Sequence, residues 1–367
     1  MSATSQAVFQ QALRSGEQPP PLAANLGWIG IWSSGVPLVR PHTPVDPRLL
    51  AALTLCLEVT LPTVLPGRPL RLWQGAAPDA AAIALYAVAE GRLRLVHGDV
   101  DVTTPPDFAR SGETVSLRYS TCSRGRSDMV EFVSHHRDQR FRMRCGVARA
   151  ARLDEAWPRD PGFLSVCHVA AVAGMGLRSG DLPALSAGTL LQTVNGPRPV
   201  ESLQVDDILL TVTGERLPLR WIERRPRLCL GRNAPVLLRA PYFGLDHDIC
   251  VSPQTRIMRS GPEVEYNFGH ERVLVRADDL TASPGALRDL RQPVRDFYHL
   301  MLDDHACLAV DRCGVETALL ADVLAAEDWA GGAGLVLSDR TPCLPALDRA
   351  AAQALVAATA KGRHART

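Results

Sequence analysis

Residues Ser186 to Glu215 read S-A-G-T-L-L-Q-T-V-N-G-P-R-P-V-E-S-L-Q-V-D-D-I-L-L-T-V-T-G-E. Small residues lead into Gly188-Thr189, and a short apolar strand follows. Asn195-Gly196 is a turn dipeptide, because both residues tolerate the positive φ that tight hairpin turns require. A second strand is expected to open at Pro199-Val200. Val205-Asp206-Asp207 then turns the chain into a third strand, Ile208 to Val212. Short apolar runs separated by Gly, Pro, Asn and Asp predict an all-β module. The same punctuation continues to about Leu320.

Upstream, from about Trp28 to Val172, the pattern is again strand-like. Leu53-Thr-Leu-Cys-Leu-Glu-Val-Thr-Leu61 is apolar or alternating and is followed by Pro62 and a turn ending at Pro69. Leu70 to Trp73, Ala82 to Ala89, Leu93 to His97, Thr114 to Tyr119 and Asp128 to Val133 read as short strands. Gly162 to Ala173 reads as a closing strand, and Gly174 to Pro183 as a linker. Short strands at regular spacing predict an antiparallel sandwich. The expected organisation is a leader over residues 1–24, a β-rich sandwich-like domain over 25–178, a second β module over 181–325, and a tail over 326–367. Ala318 to Ala326 and Ala346 to Lys361 are rich in alanine and leucine, and the latter reads as a terminal helix. Gly331-Gly332-Ala333-Gly334 is a break between them.

The chain has 367 residues, enough for two domains. Hydrophobic residues make up 46% and charged residues 22%, the balance of a folded chain rather than a disordered one. The net charge of +1 removes the basic surplus that a nucleic-acid binder uses against phosphate, so that class is set aside. Lys361 is the single lysine, and the arginines read as solvated surface charge. Nine cysteines are scattered without C-x-x-C spacing, and several, such as Cys56 and Cys250, sit inside apolar runs. Reduced core thiols are expected, with neither a disulfide framework nor a zinc site. The polar, proline-rich start carries no secretory signal. The longest weakly polar run, Phe163 to Leu177, is shorter than the ~20 residues of a membrane-spanning helix and is interrupted by His168. The expected location is the cytoplasm, or outside after export without a cleaved signal peptide.

Further segments add to the opening stretch. Pro218-Leu-Arg-Trp-Ile222 follows the first hairpin. Cys250-Val-Ser-Pro-Gln-Thr-Arg-Ile257, Val273-Leu-Val-Arg-Ala-Asp-Asp-Leu280, Phe297-Tyr-His-Leu-Met-Leu-Asp-Asp-His305 and Glu316-Thr-Ala318 come next, in that order. Together they resemble the sequence blocks of the Hint (hedgehog/intein) domain, in the form found in bacterial proteins. The resemblance implies a Hint-type β module with an autoprocessing site. In that family a cysteine four residues before the glycine of G-T attacks the preceding carbonyl, and the acyl chain moves from nitrogen to sulfur. A histidine in a Ser/Thr-x-x-His block protonates the departing amide nitrogen. Splicing members also end on a His-Asn pair.

This sequence departs from the pattern at each point. Ala184 occupies the nucleophile position, Thr255 stands where Ser252-x-x-His would place the histidine, and no His-Asn pair closes the module. Gly188, Thr189, Ser252, His299 and His305 remain. His299 and His305, six apart on one expected strand, would share a face; they could form a polar pair in the cleft, but core or rim histidines satisfied by backbone partners are the better reading. Ser186 is a candidate replacement nucleophile, with His305 as its base if the fold brings them together; a turn or hydrogen-bonding role is the alternative. A cysteine reached in three dimensions is another candidate, although Cys307 and Cys313 read most simply as core thiols. Such a reaction would be an N-to-S or N-to-O acyl shift.

Asp246-His247-Asp248 is a possible cation site but reads better as a solvated loop. Asp303-Asp304-His305 lacks the G-x-S-x-G serine of a hydrolase triad. His135-His136 reads as an exposed strand end. Trp28, Trp32 and Trp73 suggest either core packing or a carbohydrate-binding face on the first domain. The expectation is therefore a two-domain all-β protein whose Hint-like module has lost its chemistry and acts as a structural or binding module, without cofactor or metal. Its partner would be a protein or a glycan. The alternatives are an active self-cleaving protein and a carbohydrate-binding protein.

Overall fold

A computed structural model describes residues 27–34, 36–39, 49–64, 67–78, 81–122, 128–146, 149–158, 162–163, 167–177, 182–327 and 341–364. The leader over 1–24 and the Gly331–Gly334 break lie outside the described residues. The chain divides into two compact units, Met1–Ser179 with Leu230–Arg232, and Gly180–Cys229 with Asn233–Thr367. Among the described residues no helix is long and apolar enough to cross a membrane.

The first unit holds a seven-stranded antiparallel sheet. Its strands lie in the order Gln139–Arg144, Met129–Ser134, Thr114–Cys122, Ala52–Thr60, Cys167–Ala173, Trp28–Ser33, Val36–Val39. A four-stranded meander, Leu70–Gln74, Ala84–Val88, Arg92–His97, Val100–Thr103, forms a second sheet. Leu53, Leu55 and Leu117 of the first sheet join Leu72, Leu85 and Leu95 of the second in one buried cluster. Burial of each such side chain contributes about 1.5–3 kcal/mol, so cross-sheet packing holds the sandwich together. The alternation along Thr114–Cys122 is the reason: Val115, Leu117 and Tyr119 are buried while Thr114, Ser116 and Arg118 are partly open. The closing strand starts at Cys167 rather than Gly162.

Trp73 and Trp28 are buried, and Trp73 donates its indole N–H to the Ala156 carbonyl at 3.0 Å. Core packing, the better of the two sequence readings, therefore holds for Trp28 and Trp73, and only Trp32 of the three is partly open. His135 bonds Ser116 in the turn after its strand, and His136 is exposed.

The second unit is built on a nine-stranded sheet. Its order is Gly196–Pro199, Leu190–Thr193, Ile208–Leu210, Arg216–Leu228, Val294–Leu302, Leu185–Ser186, Ile249–Val251, Val236–Leu238, Ala286–Arg288. A four-stranded sheet, Arg272–Arg276, Arg256–Ser260, Cys313–Glu316, Cys307–Val310, packs with it in one core. The opening stretch folds as a hairpin, with Gly196 at φ +98°, where a side chain would be strained. The second strand ends at Pro199 instead of opening there, because Val200–Ser202 forms a turn of 3₁₀ helix. The third strand stops at Leu210, where Thr211 turns back to Glu215.

The terminal helix runs Arg349–His364, three residues later than the sequence pattern places it. Asp348 sets its start by accepting the Ala351 N–H at 2.8 Å. Leu355, Val356 and Ala352 on this helix are part of the unit's core.

Candidate functional site

The two-residue strand Leu185–Ser186 lies between two partners: Leu185 pairs with Val251 on one side and Tyr298 on the other. This insertion places Ala184 between the strand carrying His299 and the turn carrying Ser252 and Thr255. The Ala184 carbonyl accepts the Ser252 N–H at 2.9 Å, which anchors the turn. Ala184, Ser252 and Thr255 are all buried, as is His299.

The hydrogen bonds converge on a single peptide, Pro183–Ala184. The Ala184 N–H donates to Thr255 Oγ1 at 2.9 Å. Thr255 Oγ1 is also 3.1 Å from the Ala184 carbonyl and 2.8 Å from Ser252 Oγ, which is itself 3.3 Å from the Leu182 carbonyl. On the other side, His299 Nδ1 donates to the Pro183 carbonyl at 2.8 Å, which requires the ring proton on Nδ1. His299 lies near Trp221, with ring centroids 6.5 Å apart. Both polar ends of the peptide preceding Ala184 thus have partners in a water-poor site.

The Ala184 methyl packs with Cys229, Cys250 and Phe297. No local sequence pattern ties these two cysteines to this position. Burial pushes both thiols up to about 12, so both are protonated and weak nucleophiles at neutral pH. Cys229 donates to the Arg227 carbonyl at 3.3 Å. All nine cysteines are free thiols.

Ala184, Ser252, Thr255 and His299 are brought together; Ser186 and His305 are arranged differently. Ser186 is buried, and its carbonyl accepts both the N–H and the hydroxyl of Thr189, at 3.3 and 2.8 Å. These bonds close the turn before Leu190–Thr193. His305 is not on the strand of His299, which ends at Leu302. Asp303 and Asp206 grip Arg220 at this point, and the chain turns away. The placement of His299 and His305 on one strand is therefore corrected, while each ring has a backbone partner, the better of the two sequence readings. His305 instead accepts the Cys343 N–H on Nδ1 at 2.9 Å, and its Nε2 is 3.6 Å from Glu316.

Asp246 and Asp248 are committed to separate bonds. Asp246 meets Arg312 at 3.1 Å, and Asp248 accepts the Ala240 N–H at 2.8 Å. Among the described residues no cluster of His, Cys, Asp and Glu could hold a metal ion.

The fold and this geometry define a β module with a buried, doubly held peptide at its first strand. The family model described as the Hint domain matches residues 183–322, beginning one residue before Ala184, and this segment is a Hint domain. Among solved structures, the gp41-1 intein is similar over 37% of this chain and 99% of its own, at 11% identity and a TM-score of 0.24. The LG1-3 region of the laminin alpha2 chain is similar over 78% of this chain and 61% of its own, at 8% identity and a TM-score of 0.23. No curated protein matches the chain.

Proposed function

We propose that the Hint domain of this protein has an inactive autoprocessing site and that the protein acts as a structural or binding module. The observation that carries this reading is the direction of the bond between Ala184 N–H and Thr255. An acyl shift at this peptide needs a nucleophile on residue 184 and a proton for the departing nitrogen. Residue 184 supplies a methyl group. Thr255 accepts from the nitrogen, so a lone pair rather than a proton faces it. His299 still polarises the Pro183 carbonyl, but without an attacking atom that bond stabilises only the resting peptide.

Intact-mass measurement of the expressed chain, with and without dithiothreitol or hydroxylamine, tests the proposal. One species of 39.7 kDa is expected under every condition. A fragment pair broken between residues 183 and 186 would refute it and favour Ser186 or a cysteine as nucleophile.

A further inference from the structure

Away from Ala184, the second unit gathers a different set of reactive groups. Cys307 opens the strand Cys307–Val310 and pairs across the sheet with Glu316. His305 precedes it by two residues. Cys343 comes from the segment leading to the terminal helix, and its sulfur lies 3.9 Å from that of Cys307. This segment is held in place independently of the sulfurs. Leu274 N–H donates to the Pro345 carbonyl at 2.8 Å, and Leu347 N–H donates to the Leu274 carbonyl at 2.9 Å. Cys343 is exposed and Cys307 is buried. One thiol can therefore meet a solvent-borne oxidant, while the other waits behind it.

We propose that Cys343 is an oxidant-reactive thiol and that Cys307 captures its oxidised form as an intramolecular disulfide, fastening the C-terminal segment to the Hint domain. The Sγ–Sγ separation must close to about 2 Å, a movement within reach of side-chain rotation at an exposed cysteine. Contact with Cys307 and then with His305 lowers the Cys343 pKa against the opposing effect of burial. Burial alone would depress His305; Cys343 and Glu316 outweigh it and raise the ring. Arg256 bonds Glu316 at 3.2 Å and fixes the carboxylate. In the neutral ring Nδ1 accepts the Cys343 N–H. The ring's own proton is then on Nε2, which faces Glu316.

With hydrogen peroxide as oxidant, the Cys343 thiolate attacks one peroxide oxygen. An S–O bond forms and the O–O bond breaks. The departing hydroxide takes back from solvent the proton that the exposed Cys343 thiol had released, and leaves as water. Contact with Cys343 and burial push the Cys307 thiol up, so Cys307 releases its proton only as its sulfur attacks Cys343. The S–S bond forms, the S–O bond breaks, and the hydroxyl takes that proton to leave as a second water. Two thiols and one peroxide become one disulfide and two waters.

The test is thiol mapping on the full reduced chain. With iodoacetamide at neutral pH, Cys343 should be alkylated at least about 10-fold faster than the half-buried Cys122 and Cys145, because the rate follows the thiolate fraction. After hydrogen peroxide, non-reducing peptide mass mapping should find Cys307 linked to Cys343, with the intact chain lighter by two hydrogens. Cys307→Ala should slow alkylation at Cys343, since contact with Cys307 is the first cause that lowers its pKa, and should lose the linkage, leaving a sulfenic acid at Cys343 that dimedone traps. His305→Asn should slow alkylation at Cys343 and move its pH profile towards that of an ordinary thiol. Alkylation of Cys343 no faster than of Cys122 and Cys145, or peroxide treatment that links other cysteines and leaves Cys307 and Cys343 unlinked, would overturn the proposal.

Discussion

Replacing Thr255 by valine should cost the second unit about 2 kcal/mol, and replacing it by serine should cost less. The hydroxyl accepts the Ala184 N–H, contacts the Ala184 carbonyl and contacts Ser252 Oγ. Valine keeps the shape and removes all three contacts. The Ala184 carbonyl retains the Ser252 N–H, and Ser252 Oγ retains the Leu182 carbonyl. The Ala184 N–H is left buried without its acceptor, and an orphaned buried donor costs about 1–3 kcal/mol. Thr255→Ser keeps the hydroxyl and deletes one buried methyl, a loss of about 1 kcal/mol.

If Thr255 matters as a clamp, valine is the worse substitution; if it matters as packing, serine is. For a unit of this size ~2 kcal/mol lowers the melting temperature by roughly 4–8 °C. Scanning calorimetry of the full chain gives that number. Hydrogen exchange, read on a peptide spanning residues 182–190, should show the Ala184 amide opening about 30-fold more readily in Thr255→Val, the equivalent of 2 kcal/mol. Unchanged exchange in the valine variant, or serine as the more damaging change, would refute the clamp.

Ala184→Cys alone should leave the chain uncleaved in hydroxylamine, because the new thiol joins the surroundings that hold Cys229 and Cys250 at about 12. Adding Thr255→His supplies a proton donor, and only this double variant should give thiol-dependent breakage at residue 183, read by intact mass. In the first unit, His97 bridges Tyr119 and Glu155, with Asp128 and Arg149 close by, and burial followed by Arg149 lowers it to about 4. Its unfolded form therefore takes up the proton first, so the His97 contribution to stability falls as pH drops from 6.5 to about 4, by about 3 kcal/mol in all. Burial raises the Asp128 and Glu155 carboxyls and works in the opposite direction, so the check is the difference in urea midpoint between the wild type and His97→Gln across that range. Trp73→Ala should destabilise the first unit by about 3–5 kcal/mol, measured by calorimetry, since the indole fills its core rather than a sugar-facing surface.

The sandwich and the Hint strands were legible because each writes its period into a short run. Thr114–Cys122 alternates, and Asn195-Gly196 marks its own turn. The cluster around Ala184 was legible in part, through block order, which placed Ser252, Thr255 and His299 together. His305 misled because a period of two holds only while the strand continues, and Arg220 draws Asp303 out of register beyond Leu302. Cys229 and Cys250 at Ala184, and Cys343 at Cys307, join positions far apart in the chain. No local pattern encodes such contacts; they follow from sheet order and from the return of the C-terminal segment. The late start of the terminal helix has a local cause, the Asp348 cap, which an alanine-rich pattern obscures.

The bonds around Ala184 also bear on how the site, inactive on the proposed reading, can be a stable one. A buried histidine and a buried nucleophile, removed without replacement, would leave unpaired polar atoms, each costing about 1–3 kcal/mol. At this site the groups that remain satisfy one another. The Thr255 hydroxyl takes the amide, Ser252 takes the Ala184 carbonyl through its N–H, and its hydroxyl reaches Thr255 and Leu182. The Ala184 methyl fills the space among two protonated thiols and Phe297. Residues 184 and 255 are therefore bonded together as one unit. A histidine restored at 255 alone would force a larger ring into a fully buried position and would also remove the acceptor of the Ala184 N–H. On the proposed reading, chemistry here requires both positions at once, since either change alone adds strain or an inert thiol without completing the path from nucleophile to leaving nitrogen.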